Sequence, residues 1–330
     1  MTGLADSASQ TPALAPLSLD QALALYRRMV LIRRFEDTVQ VLFQRGEVPG
    51  TTHLYSGQEA VATGVASILE PRDRVAGTYR GHGHALSLGV DPQALLDEML
   101  GRASGLCGGR AGSMNVIDLA HGLMGCYGIV GGSIGAATGA ALALKRSGGV
   151  AVAYFGEGAT NQGYFHECLN FAKVHNLPAL YVCENNLYGE FTPMEDVTAG
   201  RIVARAQTLE LPAETIDGND LWAVRAAAAA AVARARDGGG PQFIEALTYR
   251  FVGHSRSDPG AYRKPGELDA WRQRDPLKLT RAGILERYET ADEAQLDATD
   301  ADVERQIEQM IAAGLAAPYP TPGPAAEFKA

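Results

Sequence analysis

The chain has 330 residues, 46% of them hydrophobic, which is enough to bury a large core as one domain or two. Its net charge of -9 and its lack of any Lys/Arg-rich run argue against a nucleic-acid partner. No stretch reaches the roughly 18 apolar residues of a membrane span, and the first residues lack the basic start and apolar segment of a signal peptide.

The four cysteines form no CxxC pair and have no zinc-site spacing with histidine. We therefore expect free thiols in a reducing compartment, and a cytoplasmic protein. Residues 1–17 are predicted to form a flexible tail, and residues 18–330 a single α/β domain. That domain would begin with a helical segment and end with a helical tail.

The first third of the chain is predicted to be mainly helical. Ser18 is a capping residue, and apolar residues follow it at helical spacing, namely Leu23, Tyr26, Val30, Phe35, Val39 and Leu42. A second helix is predicted in "GQEAVATGVASIL". The stretch "DRVAGTY" predicts a short strand, which ends in the polar cluster "YRGHGH". A helix in "DPQALLDEMLGR" and a glycine-rich loop, "ASGLCGGRAGSMN", come next.

From there strands and helices alternate. The turn in "IVGGSIGAATGAALALKR" leads into a helix, and the apolar run "GVAVAYFGEG" predicts a buried strand before the helix "TNQGYFHECLNFAKVH". Further strands are predicted in "PALYVCENN", "AETIDG" and "PQFIEALTYRFVG". A helix lies in "NDLWAVRAAAAAAVARARDGGG", and a terminal helix in "TDADVERQIEQMIAAGLAAPYP". This alternation predicts an α/β fold, a mainly parallel sheet with helices on both faces.

An acidic residue lies between two glycines at the end of one predicted strand. Glu157 follows that strand, and Asn186 follows the next strand about 30 residues later, the length of one βαβ unit. Because a right-handed crossover returns the chain parallel, both residues should reach the carboxyl edge of the sheet, where α/β folds bind ligands.

Carboxylate and amide oxygens are the ligands that Mg²⁺ prefers, and Mg²⁺ often bridges protein carboxylates to phosphates. The acid then does not repel a bound anion, because a divalent cation lies between them. Gly156 and Gly158 would let the backbone approach closely, and the N-terminus of the following helix would add a favourable dipole. The turn is therefore predicted to bind a diphosphate through a metal.

Two other interpretations compete on these residues alone. A dinucleotide-binding turn needs a third glycine or alanine in G-x-G-x-x-G, and Asn161 occupies that position. In the second interpretation, Glu157 is a solvated turn residue and Asn186 a strand-end cap.

The segment "GEGATNQGYFHECLNFAKVHNLPALYVCENNLYG" resembles the thiamine diphosphate motif, in which GDG or GEG precedes NN by about one βαβ unit. The stretches "GTTHLYSGQEAVATG", "YRGHGH", "GGRAGSMN", "YGIVGG" and "YRFVGHSRSDPGAYR" resemble the alpha subunit of the first component of 2-oxo-acid dehydrogenase complexes, the pyruvate type in particular. The resemblance runs from about Leu19 to Pro276. It implies the thiamine-diphosphate-binding fold.

The resemblance also implies roles for individual residues. Glu157, Asn186 and the backbone carbonyl of Tyr188 would bind Mg²⁺. Tyr79 and Arg80 would hold the diphosphate from the opposite side, and Gly158 and Ala159 would line it. Gly128 and Val130 would contact the aminopyrimidine half of the cofactor. His254 would lie beside the diphosphate and the substrate channel, and His53 and Gln162 would face the reacting carbon. His254 and His53 are expected to donate protons during acyl transfer, since imidazole titrates near working pH.

The substrate type is less sharply indicated. The pyruvate type usually carries Asp where this chain has Glu157, whereas the branched-chain type carries Glu. Asn161-Gln162-Gly163 stands where the branched-chain type has "SEG", and "HSRSDPG" is similar to the pyruvate type. The acetoin type also resembles "GEVPGTTHLYSGQEA" and "RGHGH". Pyruvate is the predicted substrate, with acetoin and branched-chain 2-oxo acids as alternatives.

The chain lacks a second βα set that could supply the glutamate that thiamine enzymes place against the aminopyrimidine. The resemblance implies that a beta subunit supplies it, in a heterotetramer of two alpha and two beta subunits (α2β2). The acyl group would pass to the lipoyl domain of the acyltransferase component. A catalytically silent scaffold subunit is the alternative of a different class, which the intact "GEGATNQG" and "ENN" disfavour.

Overall fold

The computed structural model of the chain describes residues 14–255 and 257–321. Residues 1–13 of the predicted tail lie outside these ranges, and the division into a tail and one domain stays a prediction. The described helices are α1 Leu19–Gln44, α2 Glu59–Ala66, α3 Gly81–Ser87, α4 Pro92–Met99, α5 Gly132–Leu144, α6 Gly163–Val174, α7 Met194–Val197, α8 Ile202–Gln207, α9 Leu221–Arg236, α10 Glu267–Gln273, α11 Pro276–Arg287 and α12 Glu293–Ala316. The described strands are β1 Arg74–Thr78, β2 Leu123–Tyr127, β3 Ala151–Gly156, β4 Ala179–Asn185, β5 Tyr188–Gly189, β6 Thr192–Pro193, β7 Ala213–Asp217 and β8 Gln242–Leu247.

Six strands form one sheet in the order β2-β1-β3-β4-β8-β7, and every pair in it is parallel. Its central strands are buried on both faces, which explains their continuous apolar sequence. Val152 and Tyr154 pack into a cluster with α1, α2 and α9, whereas Ala153 and Phe155 pack with α5 and α6 on the other face. The predicted α/β fold with helices on both faces is confirmed.

The register places the candidate residues at one edge. Gly156 at the end of β3 pairs with Glu184 near the end of β4, so the residues that follow the two strands emerge side by side. Strands β1 and β8 flank this pair. The carboxyl ends of four adjacent strands therefore meet at one edge of the sheet.

Several elements differ from the expectation. Strand β8 ends at Leu247 instead of continuing to Gly253, because Thr248 donates to the Gly57 carbonyl and Phe251 N–H donates to the Ser56 carbonyl, so the chain runs against the segment before α2. The glycines do not lead directly into a helix. A 3₁₀ turn spans Glu157–Asn161, and α6 begins only at Gly163, so the predicted helix dipole does not act at these glycines. Strand β2 and helices α3, α8, α10 and α11 were not expected from the sequence.

None of the helices in the described ranges combines the length and apolar character that a bilayer span requires. All four cysteines are free thiols, as predicted.

Candidate active site

A cavity of about 380 Å³ opens at the carboxyl edge of the sheet. Its walls include eleven of the predicted site residues, namely His53, Tyr79, Arg80, Gly128, Val130, Glu157, Gly158, Ala159, Asn186, Tyr188 and His254. Gln162 is exposed and does not line this cavity. Its amide oxygen lies against Gly131, so close that a Cβ added to Gly131 would stand 2.5 Å from Gln162 Oε1. The place of Gln162 beside the reacting carbon stays a prediction.

One wall carries buried oxygen atoms. The backbone N–H of Asn186 donates to Glu157 Oε2 at 3.1 Å, so the two residues are neighbours, as the strand spacing predicted. Both are almost fully buried. Burial raises the pKa of the Glu157 carboxyl, although backbone N–H groups and nearby arginines act in the opposite direction.

The Asn186 side chain leaves an oxygen without a partner. Its Nδ2 donates to Gln58 Oε1 at 3.0 Å, which fixes the amide plane, and its Oδ1 is buried with no hydrogen-bond partner. Buried polar atoms in native proteins are normally satisfied. A bound cation would therefore stabilise the buried Glu157 carboxylate and supply the partner that Asn186 Oδ1 lacks.

The donor set narrows the kind of cation. Within residues 14–255 and 257–321, no group of three or more His, Cys, Asp or Glu residues is placed to hold a metal ion. A metal here would have one protein carboxylate and otherwise neutral oxygens, which disfavours zinc and suits Mg²⁺ with phosphate ligands. Space is available, because a Cβ on Gly156 or Gly189 would meet no atom within 4 Å.

Two buried guanidinium groups line the same cavity. Arg80 and Arg250 are 4% and 2% exposed, and neither forms an ion pair with any described residue. Arg80 donates to the carbonyls of Leu54 and His254 at 2.9 and 3.0 Å, and the Arg250 Nε has no partner. Burial, and then the charge of Arg250, lower the pKa of Arg80 to about 10. Two buried cations without counter-ions indicate an anion-binding site.

Two histidines lie beside these arginines. Arg80 and Arg250 both contact His254 Nδ1, at 3.2 and 3.4 Å, and the His53 ring is 4.8 Å from the His254 ring. Because a guanidinium only donates, His254 Nδ1 is an acceptor and the neutral ring carries its proton on Nε2. Burial, and then the charge of Arg80, lower the pKa of each histidine to about 3.

Comparison with known proteins identifies the family. Residues 27–323 match the family described as the dehydrogenase E1 component. The chain belongs to this family.

Two similar relatives are acetoin:2,6-dichlorophenolindophenol oxidoreductase alpha subunits. The one from Cupriavidus necator is 44% identical, over 96% of both chains, and the one from Bacillus subtilis is 42% identical, over 92% of both. The pyruvate dehydrogenase E1 component alpha subunit of Porphyra purpurea is 40% identical, over 92% of this chain and 91% of that relative.

Membership of the dehydrogenase E1 family means a thiamine-diphosphate-binding fold and an enzyme that depends on that cofactor. The residues of this chain fit the group. A diphosphate would supply counter-charge to Arg80 and Arg250, and a divalent cation would complete Asn186 Oδ1 and Glu157.

Among the cavity residues of this E1 chain to which the sequence analysis gave no role, Arg250 and Gln58 contact predicted site residues. Arg250 was placed inside a predicted strand, yet a signal was present, because Thr-Tyr-Arg occurs both at 78–80 and at 248–250. The first copy begins on the last residue of β1, and the second directly follows β8. Gln58 had no such signal, since its partner Asn186 lies 128 residues away.

Proposed function

We propose that this chain is the alpha subunit of a first component that decarboxylates a 2-oxo acid, with pyruvate as the substrate. Two alpha and two beta subunits would form the enzyme, and the acyl group would pass to the lipoyl group of the acyltransferase component. One observation carries the proposal: a buried carboxylate and an unsatisfied amide oxygen line the same cavity as two buried arginines that form no ion pair with a described residue.

Each wall has a distinct task in this proposal. Glu157, Asn186 Oδ1 and the Tyr188 carbonyl would hold Mg²⁺, and Arg80 and Arg250 the diphosphate, with Tyr79 beside them. The remaining predicted positions would line the cofactor, namely Gly158 and Ala159 at the diphosphate and Gly128 and Val130 at the aminopyrimidine. Bound thiamine diphosphate supplies the electron sink that allows carbon dioxide to leave the 2-oxo acid.

The overall reaction is balanced without a further oxidant. Pyruvate and the lipoyl disulfide give carbon dioxide, an acetyl thioester and a thiol. His254 would present its Nε2 proton to the cavity as a neutral donor, because Arg80 and Arg250 occupy Nδ1. The low pKa of His254 and His53 differs from the expected titration near working pH. An anion bound to the two arginines would offset their charge and raise both pKa values.

Two exposed apolar side chains at the cavity rim support a partner subunit. Ile129 and Val130 are 79% and 45% exposed, and both line the cavity. Large apolar residues at a site opening are typical of surfaces that another protein covers. We propose that the beta subunit covers them and supplies the glutamate for the aminopyrimidine. The isolated chain should then bind the cofactor poorly and decarboxylate nothing, and decarboxylation of pyruvate by the chain alone would contradict this.

Acetoin is the second candidate substrate, because the relatives with 44% and 42% identity carry its name and the pyruvate-type relative has 40%. Acetoin and the lipoyl disulfide would give acetaldehyde, an acetyl thioester and a thiol.

The free thiols in the chain support a cytoplasmic location.

The test is an activity panel on the purified pair of alpha and beta subunits. Pyruvate, acetoin and a branched 2-oxo acid are each supplied with Mg²⁺, thiamine diphosphate and dichlorophenolindophenol as the electron acceptor. We expect the highest kcat/KM with pyruvate. A higher kcat/KM with acetoin would make acetoin the assigned substrate. A pair whose activity survives Asn186→Ala unchanged would instead favour the silent scaffold.

A further inference from the structure

A carboxylate outside the cavity connects two of the loops that form it. The Tyr188 hydroxyl donates to Glu267 Oε2 at 2.9 Å, and the Tyr249 hydroxyl donates to Glu267 Oε1 at 2.8 Å. Tyr188 is the first residue of β5, in the segment after β4, and Tyr249 lies in the segment after β8, whereas Glu267 is the first residue of α10. One side chain thus joins three separate parts of the chain.

Both tyrosines are firmly held as donors, because each hydroxyl lies within hydrogen-bond distance of the same carboxylate. Tyr249 is fully buried and Tyr188 is 6% exposed. Trp271, one turn further along α10, stacks on the Tyr249 ring at 5.2 Å and 7°. Helix α10 is therefore anchored to these tyrosines by both Glu267 and Trp271.

The loop that carries Tyr188 has an unfavourable backbone. Leu187 and Glu190 both have positive φ, 73° and 57°, in a region that costs a non-glycine residue of the order of 1 kcal/mol. Such a conformation persists only where the surroundings hold it. Arg250 donates to the Glu190 carbonyl at 2.9 Å, and Glu267 holds the Tyr188 side chain. These two contacts lie on either side of the Tyr188 carbonyl.

We propose that Glu267 is a positioning residue for the metal site: by holding the Tyr188 hydroxyl, it fixes where the Tyr188 backbone carbonyl stands in the cavity. This inference rests on the proposed role of that carbonyl as a Mg²⁺ ligand. Groups that orient metal ligands typically change metal affinity about 10- to 100-fold when they are removed. Glu267 should therefore set the Mg²⁺ affinity of the enzyme while taking no part in the chemistry.

A matched control lies on the same pair of segments. Lys264 and Glu195 form an ion pair at 2.9 Å that joins the segment before α10 to α7, and both side chains are mostly exposed. An exposed pair of this kind contributes little. Glu195→Gln removes one contact between the same two segments without touching Tyr188.

The experiment uses the full-length alpha chain with its beta subunit. Binding of thiamine diphosphate is measured by calorimetry at a series of Mg²⁺ concentrations, alongside kcat at saturating Mg²⁺ and cofactor and the thermal midpoint. We expect Glu267→Ala to raise the half-saturating Mg²⁺ concentration about tenfold, with kcat within about twofold of the unmodified enzyme. Glu267→Gln, which keeps one acceptor, should give a smaller shift, and Glu195→Gln none.

A double variant tests whether the effect passes through Tyr188. Tyr188→Phe should shift Mg²⁺ affinity in the same direction, and Glu267→Ala combined with Tyr188→Phe should be no worse than Glu267→Ala alone. The inference fails if Glu267→Ala and Glu195→Gln have the same Mg²⁺ affinity, or if Glu267→Ala lowers only kcat and the thermal midpoint. An unmodified pair without Mg²⁺-dependent cofactor binding would overturn the proposed function itself, and this inference with it.

Discussion

Two buried glutamates beside glycine-rich segments show how differently a carboxylate can be used. Glu98 on α4 is 1% exposed, and its carboxylate accepts four backbone N–H groups at 2.6–3.1 Å, from Cys107, Gly109, Ala111 and Gly112. Glu157 is 2% exposed and accepts the Asn186 N–H at 3.1 Å, beside an amide oxygen that has no partner.

The difference lies in where the compensation for burial comes from. The chain itself surrounds Glu98 with donors, so this carboxylate organises the loop that carries Ser113 and Met114. Around Glu157 the described residues leave the compensation incomplete, and burial raises its pKa. A buried acid that its own fold satisfies is structural, whereas one that the fold leaves unsatisfied indicates a ligand.

The largest expected effect tests the Glu157 half of this contrast. Glu157→Gln should weaken Mg²⁺-dependent binding of thiamine diphosphate by about 100-fold or more, because the only carboxylate of the proposed metal set is lost. The cofactor-free chain should melt at an equal or higher temperature, since a buried charge is removed.

Calorimetry of the subunit pair and thermal melts of the chain measure the two effects. Glu157→Asp, which keeps the charge, is the control and should retain most of the binding. A Glu157→Gln chain that binds thiamine diphosphate normally but unfolds at a lower temperature would show that Glu157 is structural and does not hold a metal.

Glu98→Gln should show the opposite pattern. Its amide NH₂ would face backbone donors instead of accepting from them, so the free energy of unfolding should fall by about 2–4 kcal/mol. Urea denaturation of the chain measures this loss. Mg²⁺ affinity of the folded pair should change far less than with Glu157→Gln, and a loss of stability below about 0.5 kcal/mol would remove the structural role of Glu98.

A smaller effect is expected at Gln58. Gln58→Ala leaves the Asn186 amide free to rotate, so the oxygen that faces the cavity is no longer fixed. We expect about a tenfold loss of Mg²⁺-dependent cofactor affinity, measured by the same calorimetric titration. Gln58→Glu keeps the acceptor but adds charge, which distinguishes orientation from electrostatics. An unchanged affinity in Gln58→Ala would show that Asn186 needs no such support.

The last effect concerns pH. His53 and His254 have a pKa of about 3 in the folded chain, whereas an unfolded histidine titrates near 6.5, so the unfolded chain binds more protons between these values. Stability of the cofactor-free chain should be complete above about pH 6.5 and decline as the pH falls below it.

Thermal midpoints between pH 7.5 and 5 measure this decline. His254→Gln should reduce it, and inorganic diphosphate, by placing negative charge beside the arginines, should do the same. Glu98→Gln should leave the slope unchanged, because the Glu98 carboxylate accepts from backbone N–H groups of residues 107–112 and contacts neither histidine. A decline that is identical in His254→Gln would show that this ring does not titrate as described.

The sequence predicted the parts of the site that depend on local order. Glu157 and Asn186 each follow a buried strand one βαβ unit apart, so their meeting is a consequence of parallel pairing. The contact from Gln58 to Asn186 joins the cap of α2 to the end of β4, and no periodicity carries information about a pairing of that kind. Long-range side-chain contacts of this type depend on packing and cannot be derived from spacing.

Arg250 and Gln162 escaped a firm assignment for different reasons. Arg250 was placed inside a predicted strand because Tyr249, Phe251 and Val252 continue a strand-like sequence past Leu247, whereas in the structure β8 ends there and Thr248 donates to the Gly57 carbonyl. Gln162 was assigned by resemblance, and its role stays a prediction: its side chain is exposed and lies against Gly131, a residue that lines the cavity. Resemblance transfers a residue to a position, whereas its rotamer depends on local neighbours.

One Thr-Tyr-Arg segment begins on the last residue of β1 and the other directly follows β8, and β3 and β4 separate these two strands in the sheet. Their arginines nevertheless converge on one histidine nitrogen. The two arginines can meet there only when all four strands are in register. An anion that bridges Arg80 and Arg250 therefore stabilises the pairing of β1, β3, β4 and β8 as a unit. Amide protons throughout β1, β3, β4 and β8 should accordingly exchange more slowly with solvent when such an anion is present, and they should slow down together.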